Sequence, residues 1–449
     1  MISDFININK SDKTPLYIQI YNEIKSAIEN GNLKESEKLP SVRKLSEDLN
    51  VSKTTIENAY EILCVEGYLI NIAKKGFYIE KGLLIDKKDK KKSDSKDTRK
   101  VYKYDFSGKG IDKNCTNITQ WRKYVKDILN KEYLLNTYSE TQGEADLREA
   151  ISRYAFTTRG VNSEAGNIII GSGTQTLIYI LCGMLGLNKV AAIEKNTFPQ
   201  AEQVFKDFGY KIKYTESDKK GIEINSLEEL KPDILFINTN FNSETGSAMT
   251  VKRKLEIIKW AKNNNCLIIE DDYNGELRYK THQSSCMQSY SPENVIYIGS
   301  FSKILLPSVR ISYMVLTDNL IDKYLLVKDN YNQTTSKIEQ LALANYINDG
   351  KLEKYLRKLR RYYLNKSELM KTELKKYFKN IIFNETSMYF EIRLDSNFLK
   401  LLKENSIKPM NTSTDCNIKL NFSQIESDNI TEGIKEIYEL IKNNNQKKY

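Results

Sequence analysis

Three short stretches of this 449-residue chain combine side chains that could do chemistry together: "IIIGSGTQTLIYILCGML" from residue 168, "CLIIEDDYNGE" from 266 and "VIYIGSFSKILLPSVRISY" from 295. Each reads as an apolar strand running into a polar turn. In the third, Lys303 stands inside an otherwise apolar run. A cation there is costly to desolvate unless it is used, and a lysine with a lowered proton affinity is the usual Schiff-base former. In the second, Glu270, Asp271 and Asp272 follow the strand directly, where acids could bind a metal, act as a base or pair with a cation. The first turn exposes backbone N–H groups at a helix N-terminus, a natural phosphate cradle. Arg310, seven positions after Lys303, offers a further anion-binding group.

Such turns need a scaffold that brings strand ends together. From residue 104 to 449, runs such as "KVAAIE", "DILFINT" and "ISYMVL" alternate with helical periods. That alternation argues for an α/β domain with a mainly parallel central sheet covered on both faces, its ligands at the carboxyl ends of the strands. Upstream, Asp86 to Lys103 reads "DKKDKKKSDSKDTRKVYK", too poor in apolar residues to offset ordering entropy. Three parts are therefore expected: residues 1–82, a flexible charged linker over 83–103, and residues 104–449. The formal charge of +10, with 69 basic against 59 acidic residues, favours an anionic partner. Six cysteines without metal-ligand spacing and the single His282 remove most zinc and Ser-His designs, so no metal is expected. The sequence shows no signal pattern and no apolar run near the roughly 20 residues of a spanning helix, which points to a cytoplasmic protein away from membranes.

In the first part, "TPLYIQIYNEIKSAIENG" reads as an amphipathic helix, with Thr14 as cap, Pro15 at its first position and Gly31 at its end. "LPSVRKLSEDLNVSKTTIENAYEIL" splits into two short helices capped by Ser41 and Ser52, with Lys53, Thr54 and Thr55 facing outward at the start of the second. The following "GYLINIAKKGFYI" alternates as a two-stranded wing would. Residues 15 to 68 resemble the GntR-type winged helix-turn-helix family, whose pattern "PLYxQI … LPSxRxLaxxLxVSxxTxxxAYxxLxxxGY" they match almost throughout. The resemblance implies that Arg43 and the Lys53, Thr54, Thr55 cluster meet double-stranded DNA, with Lys75 and Gly76 of the wing in the neighbouring groove. Glu57 departs from relatives that carry a basic residue there. One such domain buries little surface, so a homodimer reading an operator with two half-sites is expected.

The three turns together list what pyridoxal 5′-phosphate requires: a lysine for the aldehyde, N–H groups, hydroxyls and an arginine for the phosphate, and a carboxylate for the pyridine nitrogen. They resemble the fold-type I aminotransferases, whose domain carries a smaller C-terminal α+β subdomain. The pairing with a winged helix resembles the MocR-type subfamily of GntR regulators over nearly the full chain. The resemblance implies Lys303 as the Schiff-base lysine, Asp271 on the pyridine nitrogen and Tyr273 on the 3′-oxygen. For the phosphate it implies Gly173, Thr174, Gln175, Ser300, Ser302 and Arg310. Phe198 would stack on the ring, and Tyr138 would reach the phosphate of a head-to-tail partner subunit.

Two departures bear on function. "TNFNSETG" replaces a proline-containing turn, leaving Asn242 as a weak candidate for the 3′-oxygen. "IKLNFSQ" carries Lys419 where relatives have an arginine for a substrate carboxylate, with Arg393 as a possible substitute. A lysine cannot grip a carboxylate bidentately, so amino-acid binding should be weaker or differently arranged. The favoured reading is a regulator rather than an enzyme. It would sense the cofactor, or an amine or amino acid joined to it, and in the PdxR-like branch would control vitamin B6 synthesis. The alternative is an active aminotransferase carrying a DNA-binding arm.

Overall fold

The computed structural model describes residues 6–9, 12, 14–81, 101–195, 198–240, 248–273, 275–279, 285–379, 381–383, 388–394, 397–410 and 417–446. Asn242, His282, Cys416 and most of the expected linker lie outside these residues. The chain forms two compact units, Met1–Arg99 and Lys100–Tyr449. Of the expected linker's last residues, Lys103 pairs with Glu436 at 2.8 Å, within the second unit.

In the first unit, helix α1 (Leu16–Glu29) buries Ile20, Tyr21, Ile24, Ala27 and Ile28 along one stripe, as helical spacing requires. Pro15 takes the cap position rather than the first helical one. Thr14 thus stands one residue before the cap, with its hydroxyl donating to Asp12 at 3.0 Å. Helices α2 (Val42–Leu49) and α3 (Lys53–Val65) are joined through Asn50, which adopts the left-handed conformation. Leu45, Ile56, Ala59, Tyr60 and Leu63 close the core against α1. Strands β1 (Leu69–Ile72) and β2 (Gly76–Ile79) pair antiparallel as the wing, with positive φ at Lys74 and Gly76 making the turn. Ser52 caps α3 by accepting from the Thr55 N–H at 3.1 Å. Ser52→Ala is expected to destabilise this unit by ~1 kcal/mol, lowering its urea midpoint, while Ser52→Asp restores it. An unchanged midpoint would mean that the cap contributes nothing.

The second unit is built on a seven-stranded sheet. In chain order its strands are β3 (Ile168–Gly171), β4 (Val190–Glu194), β5 (Lys211–Thr215), β6 (Ile234–Ile237), β7 (Leu267–Asp271), β8 (Val295–Ser300) and β9 (Ser312–Val315). Their spatial order is β3-β9-β8-β7-β6-β4-β5. Only β9 runs against the others. Helix α4 (Ala145–Arg159) precedes β3. Alternate residues of β7 enter different clusters: Ile269 packs with helix α5 (Thr174–Leu185) on one face, and Ile268 packs with the helix Val251–Asn263 on the other. Both faces are thus buried, which is why these strands read as continuous apolar runs. Further on, a smaller three-stranded antiparallel sheet joins β10 (Ile381–Phe383), β11 (Tyr389–Arg393) and β12 (Asn417–Asn421). No helix among the described residues is long and apolar enough to cross a membrane.

Candidate functional site

The register of the large sheet gathers the three turns at one edge. Ser300 stands opposite Ser312, and Ser312 opposite Gly171. Asp271 stands opposite Ile298, close to the end of β8. Strand alternation then sorts the three acids onto two faces. Glu270 accepts from Thr239 Oγ1 at 2.7 Å and from the N–H groups of Met287 and Gln288 at 2.7 and 3.1 Å. Asp272 accepts from Arg159 at 2.5 and 3.2 Å, from Tyr297 Oη at 2.6 Å and from Asn240 Nδ2. Those two carboxylates are consumed by the protein. Asp271 points to the face of α5, and among the described residues it has no hydrogen-bond or ion-pair partner although it is buried. Burial, and then the neighbouring Asp272 charge, push its carboxyl up to about 7. A carboxylate held this way is a seat for a ligand cation.

Lys303 follows β8 by three residues. Its Nζ donates to the carbonyl oxygens of Gly108 at 2.6 Å and Gly110 at 3.3 Å. Burial holds its ammonium down to about 8, so a usable fraction is the neutral nucleophile near neutral pH.

An anion seat lies beside these groups. Helix α5 starts without a side-chain cap, which leaves the N–H groups of Thr174, Gln175 and Thr176 without helical acceptors at its positive end. Gly173, at the cap position, has φ 134°, a conformation that residues with a side chain rarely adopt, and a Cβ there would lie 2.6 Å from an Arg310 guanidinium nitrogen, so the guanidinium sits against the turn. Arg310 is exposed, in the left-handed region at φ 53°, and makes no ion pair or hydrogen bond among the described residues. Ser300 Oγ accepts from Ser312 Oγ at 2.9 Å and from the Ser302 N–H at 3.3 Å. A guanidinium over a bare helix start suits a dianion.

The remaining expected residues fall in varied places. Tyr273 is half-exposed just past β7. Phe198 is half-buried at the start of helix α6 (Pro199–Asp207), packed partly against the α5-side core. Tyr138 is 99% exposed on this chain, free to project from it. Lys419 lies 3.3 Å from Glu391, both largely buried, while Arg393 is exposed at the end of β11. On the first unit, Arg43, Lys53, Thr54 and Lys75 are exposed, and Gly76 is half-buried at the wing turn. Arg43 lies 3.1 Å from Glu47. Thr55 is half-buried with its hydroxyl 2.7 Å from Ser52 Oγ, so it serves the helix cap as well as any outward contact.

Sequence reading missed Gly108, Gly110, Arg159 and Glu391. Only Arg159 left a usable trace. It continues the buried series Leu147, Ile151, Ala155 at four-residue intervals, and an arginine on the apolar stripe of a helix needs a buried anion.

Residues 109–437 match the family described as "Aminotransferase class I and II", and residues 16–79 match "Bacterial regulatory proteins, gntR family". The chain is 32% identical over 369 residues to the "Uncharacterized HTH-type transcriptional regulator YdeL" of Bacillus subtilis, covering 81% of this chain and 80% of that one. It is 24% identical to the "Probable rhizopine catabolism regulatory protein MocR" of Rhizobium meliloti, over 81% of this chain and 78% of the relative. It is likewise 24% identical to the "HTH-type pyridoxine biosynthesis transcriptional regulator PdxR" of Corynebacterium glutamicum, over 83% and 82%. The chain belongs to the MocR-type subfamily of GntR regulators.

A MocR-type chain joins a DNA-binding unit to an aminotransferase-like unit. The fold of that second unit is also that of Pyrococcus horikoshii kynurenine aminotransferase, with a TM-score of 0.68 and 23% identity over 78% of this chain and 92% of that one. The aminotransferase domain implies pyridoxal 5′-phosphate, and the MocR-type site fits that group. The unpartnered carboxyl of Asp271 suits a ring cation, Arg310 across the bare start of α5 suits a phosphate, and the partly deprotonated Lys303 suits an aldehyde.

Proposed function

We propose that this regulator takes up pyridoxal 5′-phosphate at Lys303 and passes the occupancy of that site on to its DNA-binding unit. The observation that carries the reading is the meeting, at one sheet edge, of a nucleophilic amine, an orphaned buried carboxylate and a guanidinium-capped helix start. When bound, the cofactor supplies an aldehyde carbon and an electron-withdrawing ring. Lys303 Nζ holds that carbon, Asp271 holds the ring-nitrogen proton, and Tyr273 contacts the 3′-oxygen. Gly173, Thr174, Gln175, Ser300, Ser302 and Arg310 hold the phosphate, and Phe198 excludes water from one ring face. Tyr138, fully exposed on its own chain, completes the phosphate seat of a partner subunit in a head-to-tail homodimer.

On the DNA side, Arg43 of α2 and Lys53, Thr54 and Thr55 at the start of α3 contact the major groove, and Lys75 and Gly76 of the wing enter the neighbouring groove. The relative named for pyridoxine biosynthesis supports vitamin B6 supply as the controlled process. A bound ligand shifts the DNA-binding equilibrium only by its differential affinity for the two states. The test is a gel shift on the DNA upstream of the protein's own gene, with and without pyridoxal 5′-phosphate. A change in affinity or in the footprint is expected, and identical binding in both conditions removes the sensing role.

A further inference from the structure

On the small sheet, Tyr389, Glu391 and Arg393 alternate with the buried Phe390 and Ile392, and Lys419 and Asn421 alternate with the buried Ile418 and Leu420. One polar face therefore carries Tyr389 opposite Asn421 and Glu391 opposite Lys419, with Arg393 at the end of its strand. The first of these rungs adjoins the segment that holds the reactive amine. A side chain at Gly108 would collide with Asn421, and the Gly108 carbonyl accepts from Lys303 Nζ at 2.6 Å. Same-face neighbours along a strand are about 7 Å apart. The Glu391–Lys419 rung is thus the next one along the same face.

The charge of Lys419 is already met. Its Nζ lies 3.3 Å from Glu391 Oε1 and 5.0 Å from the Tyr389 ring centre, with side-chain exposures of only 20% for Lys419 and 16% for Glu391. A ligand carboxylate arriving here meets a fixed negative charge in a partly desolvated place, and must displace it to reach the lysine. An amine with an apolar body pays no such penalty. Arg393, the other cation on this face, lies a further rung away and is exposed.

We infer that the ligand class of this site is primary amines without an α-carboxylate, and that Glu391 is the residue that sets this specificity. The inference rests on the reading of Lys303 as the attachment point. Uptake is then an exchange of one primary amine for another at the same carbon. The carbon–nitrogen double bond to the incoming amine replaces the one to Lys303 Nζ, and the two hydrogens shed by the incoming nitrogen end on Nζ, which leaves as a free amine. No oxidant or reductant enters.

The probes are n-butylamine and norvaline, which differ only by the carboxylate. The full chain loaded with pyridoxal 5′-phosphate is titrated with each, followed by absorbance, and each preference is referred to the same pair reacting with free cofactor. Wild type is expected to favour n-butylamine roughly tenfold or more, and Glu391→Gln to move the preference toward norvaline by a similar factor. Lys419→Met, which removes the ammonium beside Glu391, should bind norvaline no better than wild type does. A wild-type chain that binds norvaline as well as the amine, or neither of them, overturns the inference, as does an unchanged preference in Glu391→Gln. A chain that takes up no cofactor refutes the attachment reading itself, whereas a loaded chain with the wrong preference refutes only the ligand class.

Discussion

Lys303→Ala is expected to yield protein that stays colourless with pyridoxal 5′-phosphate, gains no mass after borohydride reduction and binds DNA identically with and without the cofactor. The size of the effect follows from how few amines could substitute. The ammonium of Lys303 is held down to about 8 by burial. About a fifth of it is therefore neutral at pH 7.4, against roughly one in a thousand for an ordinary lysine. Surface lysines compete at a disadvantage of about two orders of magnitude before any binding of ring or phosphate is counted. Wild-type attachment should accelerate as pH rises and level off above about 9, a unit beyond the value at which half the amine is neutral. Lys303→Arg keeps a cation near the Gly108 and Gly110 carbonyls, yet it too should fail to attach, which separates lost chemistry from lost packing. Persistent borohydride labelling in Lys303→Ala, mapped to another lysine, would move the site elsewhere.

The groups proposed to carry this chemistry could be picked out because they sit on local signals. Lys303 and Gly173 each follow an apolar strand within a few residues and Asp271 ends one, and a parallel sheet must bring such strand ends to one edge. The two units were legible for the same reason: the Ser41 and Ser52 caps and the alternating wing are written in consecutive residues. What could not be read is pairing across long sequence separations. The carbonyls that receive Lys303 belong to Gly108 and Gly110, nearly two hundred positions earlier, and a backbone acceptor has no side-chain signature. Glu391 looks like any solvated strand residue until the register sets it opposite Lys419. The choice among three consecutive acids was likewise closed to sequence alone, since it depends on Arg159, Asn240 and Tyr297 meeting Asp272 while nothing among the described residues meets Asp271. Thr14 shows the limit at the smallest scale: a good capping residue stands one position too early, because Pro15 takes the cap.

That unequal treatment of two adjacent aspartates sets up an opposite response of stability to one substitution. The Asp271 carboxyl is pushed from 3.8 up to about 7 in the folded chain, chiefly by burial. Between those values the folded chain keeps a proton that the unfolded chain has released, so this group's contribution to stability falls as pH climbs from about 4 and is fully unfavourable above about 7. At 1.36 kcal/mol per unit the penalty is about 4 kcal/mol. The side-chain amide of an asparagine is close in shape to the carboxyl and neutral at every pH. Asp271→Asn is therefore expected to melt higher than wild type at pH 8 when free of cofactor, with the gap closing below about pH 4. With pyridoxal 5′-phosphate bound the order should reverse, because a protonated ring nitrogen gives the buried carboxylate its missing partner and leaves the amide with none. A single melting experiment at pH 8, run with and without cofactor, reads both signs. A cofactor-free Asp271→Asn that melts lower than wild type would mean that the carboxylate already has a protein partner. A variant that gains as much from the cofactor as wild type does would mean that the ring nitrogen does not face residue 271.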